Sequence, residues 1–146
     1  MLRSEREVAL NDLLEAADAA ARQYEQAAGT SRHDELAALF AELAPARRLL
    51  ERQLAERIRG LGALPHAPDP DFEAARQVVA RLRAALSPDE ERTLILECEE
   101  ADRRLAERMG DALALGLPAE QADSIRRWQS DLTAALGRLA AAKARL

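Results

Sequence analysis

Three charged residues fall on or beside the apolar stripes of the predicted helices: Asp18, Arg47 and Asp102. An arginine keeps its charge inside a protein, so the guanidinium of Arg47 must either reach solvent or meet carboxylates. The spacing places the three residues at one level, about halfway along the helices. We therefore predict a buried ion cluster of all three, which would fix the alignment of the helices rather than add much net stability. The alternative is that the three side chains border the stripes and face solvent.

Carboxylates near this level could also bind a metal ion. The candidate ligands of such a site are Glu15, Asp18, Glu97, Asp102 and Asp131. A di-metal centre in a helical bundle typically takes a Glu from each of two helices and a Glu-x-x-His pair from each of the other two. The sequence contains no Glu-x-x-His, and its two histidines, His33 and His66, fall in a predicted turn and a predicted linker. We therefore predict no metal and no other cofactor, with a carboxylate-only di-iron or di-manganese site as the alternative.

No other arrangement of residues indicates catalysis. The sequence has no glycine-rich phosphate loop and no Ser/His/Asp arrangement that its two histidines would complete. Cys98 occupies a stripe position, which predicts an inert buried thiol rather than a redox or catalytic one. Tyr24 is predicted to pack in the core with its hydroxyl hydrogen-bonded. The sequence thus favours a protein that is not an enzyme.

The composition is typical of a folded helical bundle. Of the 146 residues, 48% are hydrophobic, 32% are charged and only 3% are aromatic. The net charge is −5 and the basic residues are spread along the chain, so we expect no nucleic-acid partner. No apolar run is long enough for a signal peptide or a transmembrane segment, and a single cysteine forms no intramolecular disulfide. We expect one cytoplasmic domain over residues 1–146, with a protein partner or a second copy of the chain, as in a homodimer.

Apolar residues at spacings of three and four predict five helices, over residues of about 4–28, 35–61, 71–86, 88–115 and 118–146. Gly29 is predicted to follow the end of the first helix, and Asp34 to cap the start of the second. Pro45 lies inside the second helix, where proline normally kinks or breaks a helix. Because the apolar stripe continues in phase on both sides of it, we predict one kinked helix, with a break at Ala44 as the alternative.

The long connection between the second and fourth helices decides the topology. The 26 residues from Gly62 to Ser87 begin as a linker rich in glycine and proline and continue as the short third helix. At about 1.5 Å per helical and 3.3 Å per extended residue, they can run the length of a bundle about 40 Å tall. The short turns on either side make two antiparallel helical hairpins. One long crossover between two hairpins predicts an all-α, ferritin-like four-helix bundle with a short extra helix in the crossover.

The fourth helix has a clear start signal. Ser87 is placed as its N-cap, Pro88 as its first residue, and Glu90 at the third position, as in a capping box. An up-and-down bundle would need only short loops, and would leave the connection before this helix unexplained.

Several stretches of the chain carry a resemblance: residues 10–14, 24–28, 39–47, 61–65, 96–99 and 117–118. They resemble an uncharacterised bacterial family whose members contain a ferritin-like four-helix-bundle domain of unknown function. The resemblance covers nearly the whole chain. It implies a ferritin-like fold, a bacterial cytoplasmic setting and a stress-associated role, and it implies no defined activity.

The chain also departs from this family at places that matter for metal binding. Arg47 matches the arginine of the family. Met109 stands where similar sequences tend to have a tyrosine, and Ala135 and Leu136 stand where they tend to have a histidine. The loss of that histidine weakens any oxidase or iron-storage function that the resemblance would carry over.

Three functions remain to be compared. We favour a non-catalytic helical-bundle protein that acts through its surface as a binding or assembly module. The second is a carboxylate-bridged di-iron or di-manganese protein, which the missing histidines oppose. The third is a binder of granule or lipid surfaces, because Ala-rich amphipathic helices can open onto an apolar surface. The narrow, regularly spaced apolar stripes favour a closed bundle over this third function.

Overall fold

The computed structural model describes residues 4–60 and 86–146, and all of the regular secondary structure in these two ranges is α-helical. The helices are α1 (Glu5–Thr30), α2 (Asp34–Gly60), α3 (Pro88–Ala114) and α4 (Ala119–Ala144). They correspond to the predicted first, second, fourth and fifth helices, so the prediction of an all-α four-helix bundle is confirmed. The linker and the predicted short third helix lie outside the described residues, apart from Leu86. None of the four helices is sufficiently long and apolar to cross a membrane.

The start of α3 follows the predicted capping box. The Ser87 hydroxyl accepts a hydrogen bond from the Glu90 amide, and the Glu90 carboxylate accepts one from the Ser87 amide, both at 3.2 Å. Pro88 occupies the first turn, where its missing N–H costs no helical hydrogen bond. Two backbone donors that the helix itself leaves unpaired are thus satisfied by side chains.

The turn between α1 and α2 differs from the prediction at both ends. α1 continues through Gly29 and ends at Ser31, whose extended backbone needs no glycine and whose amide donates to the Ala27 carbonyl at 2.9 Å. The cap of α2 is His33 rather than Asp34, because Nδ1 of His33 accepts a hydrogen bond from the Leu36 amide at 3.4 Å. The predicted roles of Gly29 and Asp34 are therefore wrong, although the turn is short, as expected.

α2 is one continuous helix with Pro45 inside it, and the alternative of a break at Ala44 is not observed. A proline in a helix removes one backbone hydrogen bond and costs about 3 kcal/mol. The helix persists because its apolar face is buried on both sides of the proline, at Phe40 and Leu43 before it and at Leu50 after it.

Contacts between helix ends give the direction of each helix. The Arg6 guanidinium donates to the Gly116 carbonyl at 3.0 Å, and the Ser31 hydroxyl donates to Glu91 at 2.6 Å. The start of α1 is therefore next to the end of α3, and the end of α1 next to the start of α3. An ion pair between Arg57 and Glu120 likewise joins the end of α2 to the start of α4.

These directions produce the predicted topology. α1 is antiparallel to α2 and to α3, and α4 is antiparallel to α3 and to α2. α2 and α3 therefore run parallel, on opposite corners of the bundle, and each packs against both α1 and α4. A connection from the end of α2 to the start of α3 must travel the length of the bundle, as the long crossover predicted.

The buried apolar side chains form two clusters along the bundle axis, and each cluster draws on all four helices. One surrounds Leu13, Leu54, Leu105 and Ile125, and the other surrounds Phe40, Ile95 and Leu139. We call them the lower and the upper core. The boundary between them crosses α2 between Ala44 and Leu50, and crosses α3 between Cys98 and Leu105.

Candidate functional site

Arg47 and Asp102 meet at the boundary between the lower and the upper core. Arg47 belongs to α2 and Asp102 to α3, the two parallel helices that face each other across the diagonal of the bundle. Only 3% of the Arg47 side chain and 0% of the Asp102 side chain are exposed to solvent. Their ion pair therefore spans the interior at mid-height, between two apolar regions.

The geometry of this pair uses both oxygens of the carboxylate. Nε of Arg47 donates to Oδ1 of Asp102 at 2.8 Å, and Nη2 donates to Oδ2 at 2.7 Å. The Tyr24 hydroxyl donates to Oδ2 at 2.6 Å. The guanidinium carbon lies 5.2 Å from the centre of the Tyr24 ring, within range of a cation–π contact. The three side chains form a buried group from three helices, which we call the Arg47 triad.

Burial determines the protonation state of the groups around Asp102. The pKa of Tyr24 is raised, first by burial and then by the negative charge of Asp102, so its hydroxyl remains a neutral donor. Burial also raises the pKa of the neighbouring Cys98 thiol. Burial alone would lower the pKa of Arg47, but its hydrogen bonds to Asp102 and the charge of that carboxylate raise it overall. The predictions of a packed, hydrogen-bonded Tyr24 and a buried Cys98 are thus confirmed.

Asp18 is not part of this triad. It lies on the face of α1 toward the next residue of α2, Arg48, whose Nη1 is 2.7 Å from its Oδ1, and it also pairs with Arg22 at 2.8 Å. Successive residues of a helix point about 100° apart, so Arg47 is directed into the bundle while Arg48 is directed along the α1–α2 seam. The structure therefore pairs Asp18 with Arg48 rather than with Arg47.

The Arg48 side chain collects three carboxylates. Besides Asp18, it binds Glu25 at 2.5 Å and Glu51 at 3.1 Å, and all of these side chains are partly buried. Burial and a hydrogen bond with Asp18 raise the pKa of Glu51 to about 7. Burial also acts to raise the pKa of Asp18, but its bonds with Glu51 and Arg48 and the charge of Arg22 lower it overall. This Arg48 cluster was missed, although the (i, i+3) pair of Arg48 and Glu51 is visible in the sequence.

The remaining candidate metal ligands do not converge. Glu97 is exposed and accepts a hydrogen bond from Gln23 at 3.0 Å, while Asp131 is exposed on α4. Among residues 4–60 and 86–146, no three His, Cys, Asp or Glu side chains are grouped as metal ligands would be.

Asp102 itself is a poor metal ligand in this setting. Each of its oxygens is already hydrogen-bonded, and a divalent cation bound to it would lie next to the permanent charge of Arg47. The donor set at mid-bundle therefore does not fit a di-metal centre.

A second buried carboxylate was missed by the sequence reasoning. Glu91 is 4% exposed and accepts hydrogen bonds from the Ser31 hydroxyl at 2.6 Å and from the Arg32 amide at 2.7 Å. It fastens the α1–α2 turn to the first turn of α3. The signal was present, because Glu91, Ile95 and Asp102 have the spacing of one helix face.

Glu99 is the third buried acid of α3. It pairs with Lys143 of α4 at 2.8 Å and lies 3.8 Å from Arg103. Each buried carboxylate of α3 thus has a cation or several donors, as expected for charges inside a protein.

One family model matches the sequence. It is described as "Domain of unknown function (DUF2383)" and covers residues 6–115, from the start of α1 to the end of α3. Tyr24, Arg47 and Asp102 lie inside this range, whereas α4 lies outside it. Neither a curated protein nor a solved structure matches the sequence. Because the match spans most of the chain, this protein belongs to the DUF2383 family of domains of unknown function.

Proposed function

We propose that this protein is a non-catalytic binding or assembly module, built on a ferritin-like bundle that has no functional di-metal centre. One observation carries the proposal: Arg47 and Tyr24 occupy both oxygens of Asp102 at the centre of the bundle. The three side chains provide a structural fastening where a ferritin-like enzyme would need open metal ligands.

The chemistry of the triad supports this function in two ways. A guanidinium keeps its charge at any physiological pH, so it neutralises Asp102 permanently and opposes the binding of a cation. The α4 positions on either side of the core boundary are apolar, at Leu132 and Ala135, and offer no ligand from the fourth helix. The interior thus holds the helices in place, and the surface is left to interact with other molecules.

The ferritin-like assignment rests on the helix directions and on the long crossover from Gly60 to Leu86. The resemblance noted from the sequence supports a bacterial cytoplasmic setting and a stress-associated role. We assign the whole of residues 1–146 to one domain, and expect its partner to be a protein or a second copy of the chain. Size-exclusion chromatography with light scattering over a range of concentrations tests self-association.

The test of the metal-free interior is reconstitution of the full chain with Fe(II) or Mn(II) under anaerobic conditions. Elemental analysis after desalting should find well below one metal per chain, while a di-iron carboxylate protein treated in parallel should load. The contrary result is about two metals per chain, lost in Asp18→Ala and Asp102→Ala and kept in the exposed control Asp123→Ala. Such loading would make the protein a carboxylate-bridged metalloprotein and overturn the proposal.

A further inference from the structure

A surface groove of about 630 Å³ lies where the end of α2 meets the start of α4. This volume is in the range of small-molecule sites, about 300–1,000 Å³. Polar and charged side chains line most of it, among them Glu56, Arg57, Gln121, Ser124, Arg127 and Asp131. Trp128, which is only 9% exposed, provides an apolar wall.

Two guanidinium groups converge in this groove on one neutral oxygen. Nη2 of Arg57 and Nη2 of Arg127 each lie 3.2 Å from the hydroxyl oxygen of Ser124, a residue that is 1% exposed. The hydroxyl itself donates to the Glu120 carbonyl at 3.2 Å, so it has no further capacity for either arginine. Two cations this close repel each other unless an anion lies between them.

Both arginines have donors to spare. Each guanidinium carries five N–H donors. Arg57 pairs with the well-exposed Glu120 at 2.8 Å, and Arg127 has no carboxylate partner among residues 4–60 and 86–146. A carboxylate entering the groove can therefore take two or more charge-assisted hydrogen bonds, which are among the stronger polar contacts in proteins.

The same groove also offers acceptors for a positive group. Asp131 lies one helical turn beyond Arg127, and neither Asp131 nor Glu56 forms an ion pair with another described residue. The side-chain oxygen of Gln121 is buried, and within the described parts of the chain it has no hydrogen-bond partner. These acceptors would oppose a polyanion and would favour a ligand that carries an amine beside its anionic group.

We propose that this groove binds a small zwitterion of the amino-acid class. Its carboxylate lies between Arg57 and Arg127, its ammonium group is held by Asp131 and the Gln121 oxygen, and its side chain packs against Trp128. The assignment goes beyond the proposed function and does not depend on whether the bundle interior binds metal.

Trp128 is the single tryptophan of the chain, so its fluorescence reports directly on the groove. We would titrate the full chain with L-leucine, L-glutamine, L-arginine and L-glutamate, and repeat each titration by calorimetry. At least one amino acid should give a saturable signal. For leucine, the one-charge analogues 3-methylbutylamine and 4-methylpentanoate should bind about tenfold more weakly or not at all, because each lacks one ionic contact.

Matched variants test the two charged ends separately. Arg127→Gln and Asp131→Asn should each weaken binding about tenfold. The controls Arg126→Gln and Asp123→Asn change an exposed pair on the same helix, joined at 3.3 Å, and should leave the affinity unchanged. Circular dichroism confirms folding, and Arg127→Lys, which keeps the charge but loses the planar fork, replaces any glutamine variant that fails to fold.

Three results would overturn the assignment. The first is the absence of a saturable signal for every amino acid at millimolar concentration, in fluorescence and in calorimetry. The second is equal binding of the amine or the acid analogue, or of acetate or inorganic phosphate, which would show that the zwitterion is not what is recognised. The third is an equal loss of affinity in the control variants.

Discussion

Arg47→Ala tests the energetic role of the Arg47 triad. The substitution removes two charge-assisted hydrogen bonds, at 2.8 and 2.7 Å, from a carboxylate that is 0% exposed. Asp102 then keeps only the hydrogen bond from Tyr24. Removing one partner of a buried ion pair typically costs about 3–5 kcal/mol, because it leaves the other charge buried and uncompensated. We therefore expect the free energy of unfolding to fall by about 3–5 kcal/mol at pH 7.

The assay is urea unfolding, followed by circular dichroism and by Trp128 fluorescence in the same samples. With a urea m-value of about 2 kcal/mol/M, the expected loss lowers the midpoint by about 1.5–2.5 M. The control is Arg92→Ala, which breaks an exposed pair with Asp89 and should cost less than about 1 kcal/mol. Coincident transitions from the two probes would justify the two-state treatment.

A triple variant separates the stranded charge from the lost contacts. Tyr24→Phe, Arg47→Met and Asp102→Leu together replace the triad with apolar groups of similar size. Since well-packed apolar replacements of buried ion pairs are often neutral or stabilising, this variant should regain most of the stability lost in Arg47→Ala. A loss below about 1 kcal/mol in Arg47→Ala, or a triple variant as unstable as the single one, would refute the reasoning.

Three further predictions concern other buried groups. The pKa of Glu51, about 7, exceeds its ordinary value of 4.5, so the folded state binds more protons between these values, and this group's contribution to stability is lost as pH rises from 4.5 to 7. Glu51→Gln should remove that loss, so its stability relative to the unmodified protein should be higher at pH 8 than at pH 5, as measured by urea unfolding. Glu91→Ala should cost about 2–3 kcal/mol, since it leaves the Ser31 hydroxyl and the Arg32 amide without their buried acceptor. Cys98, 0% exposed and with a raised pKa, should react with a thiol reagent only when the protein unfolds.

Each of these predictions has a contrary outcome. Equal pH dependence of stability in Glu51→Gln and the unmodified protein would show that Glu51 does not titrate in this range. A loss in Glu91→Ala no larger than that in Glu90→Ala, which removes only a capping contact worth about 1 kcal/mol, would show that Glu91 is not an essential acceptor. Rapid labelling of Cys98 in the folded protein would show that α3 opens locally at this residue.

Much of the fold was predictable because its signals are local. The capping box at Ser87 and Glu90 depends on residues three apart, and the hairpins depend on the shortness of their turns. The parallel arrangement of α2 and α3 followed from chain length alone. The end of α1 was not predictable in this way, because Ser31 is held by Glu91, which lies 60 residues further along the chain.

The candidate site shows a different limit. Spacing pointed to Arg47 and Asp102, and the structure pairs them. It could not tell whether Asp18 would meet Arg47 or Arg48, because that choice depends on a rotation of α2 smaller than the error of a predicted stripe. The groove beside Trp128 depends on how α2 and α4 pack, and no feature of either segment alone indicates it.

The division of the interior into a lower and an upper core has a consequence for how the molecule opens. Each core uses all four helices, so the boundary cuts across every helix instead of separating the two hairpins. Amide hydrogen exchange should therefore divide the protein into two cooperative units stacked end to end, each with its own opening free energy. Thermal excursions would unwind one end of every helix while the other end stays protected, and the Arg47 triad would mark where the unwinding stops.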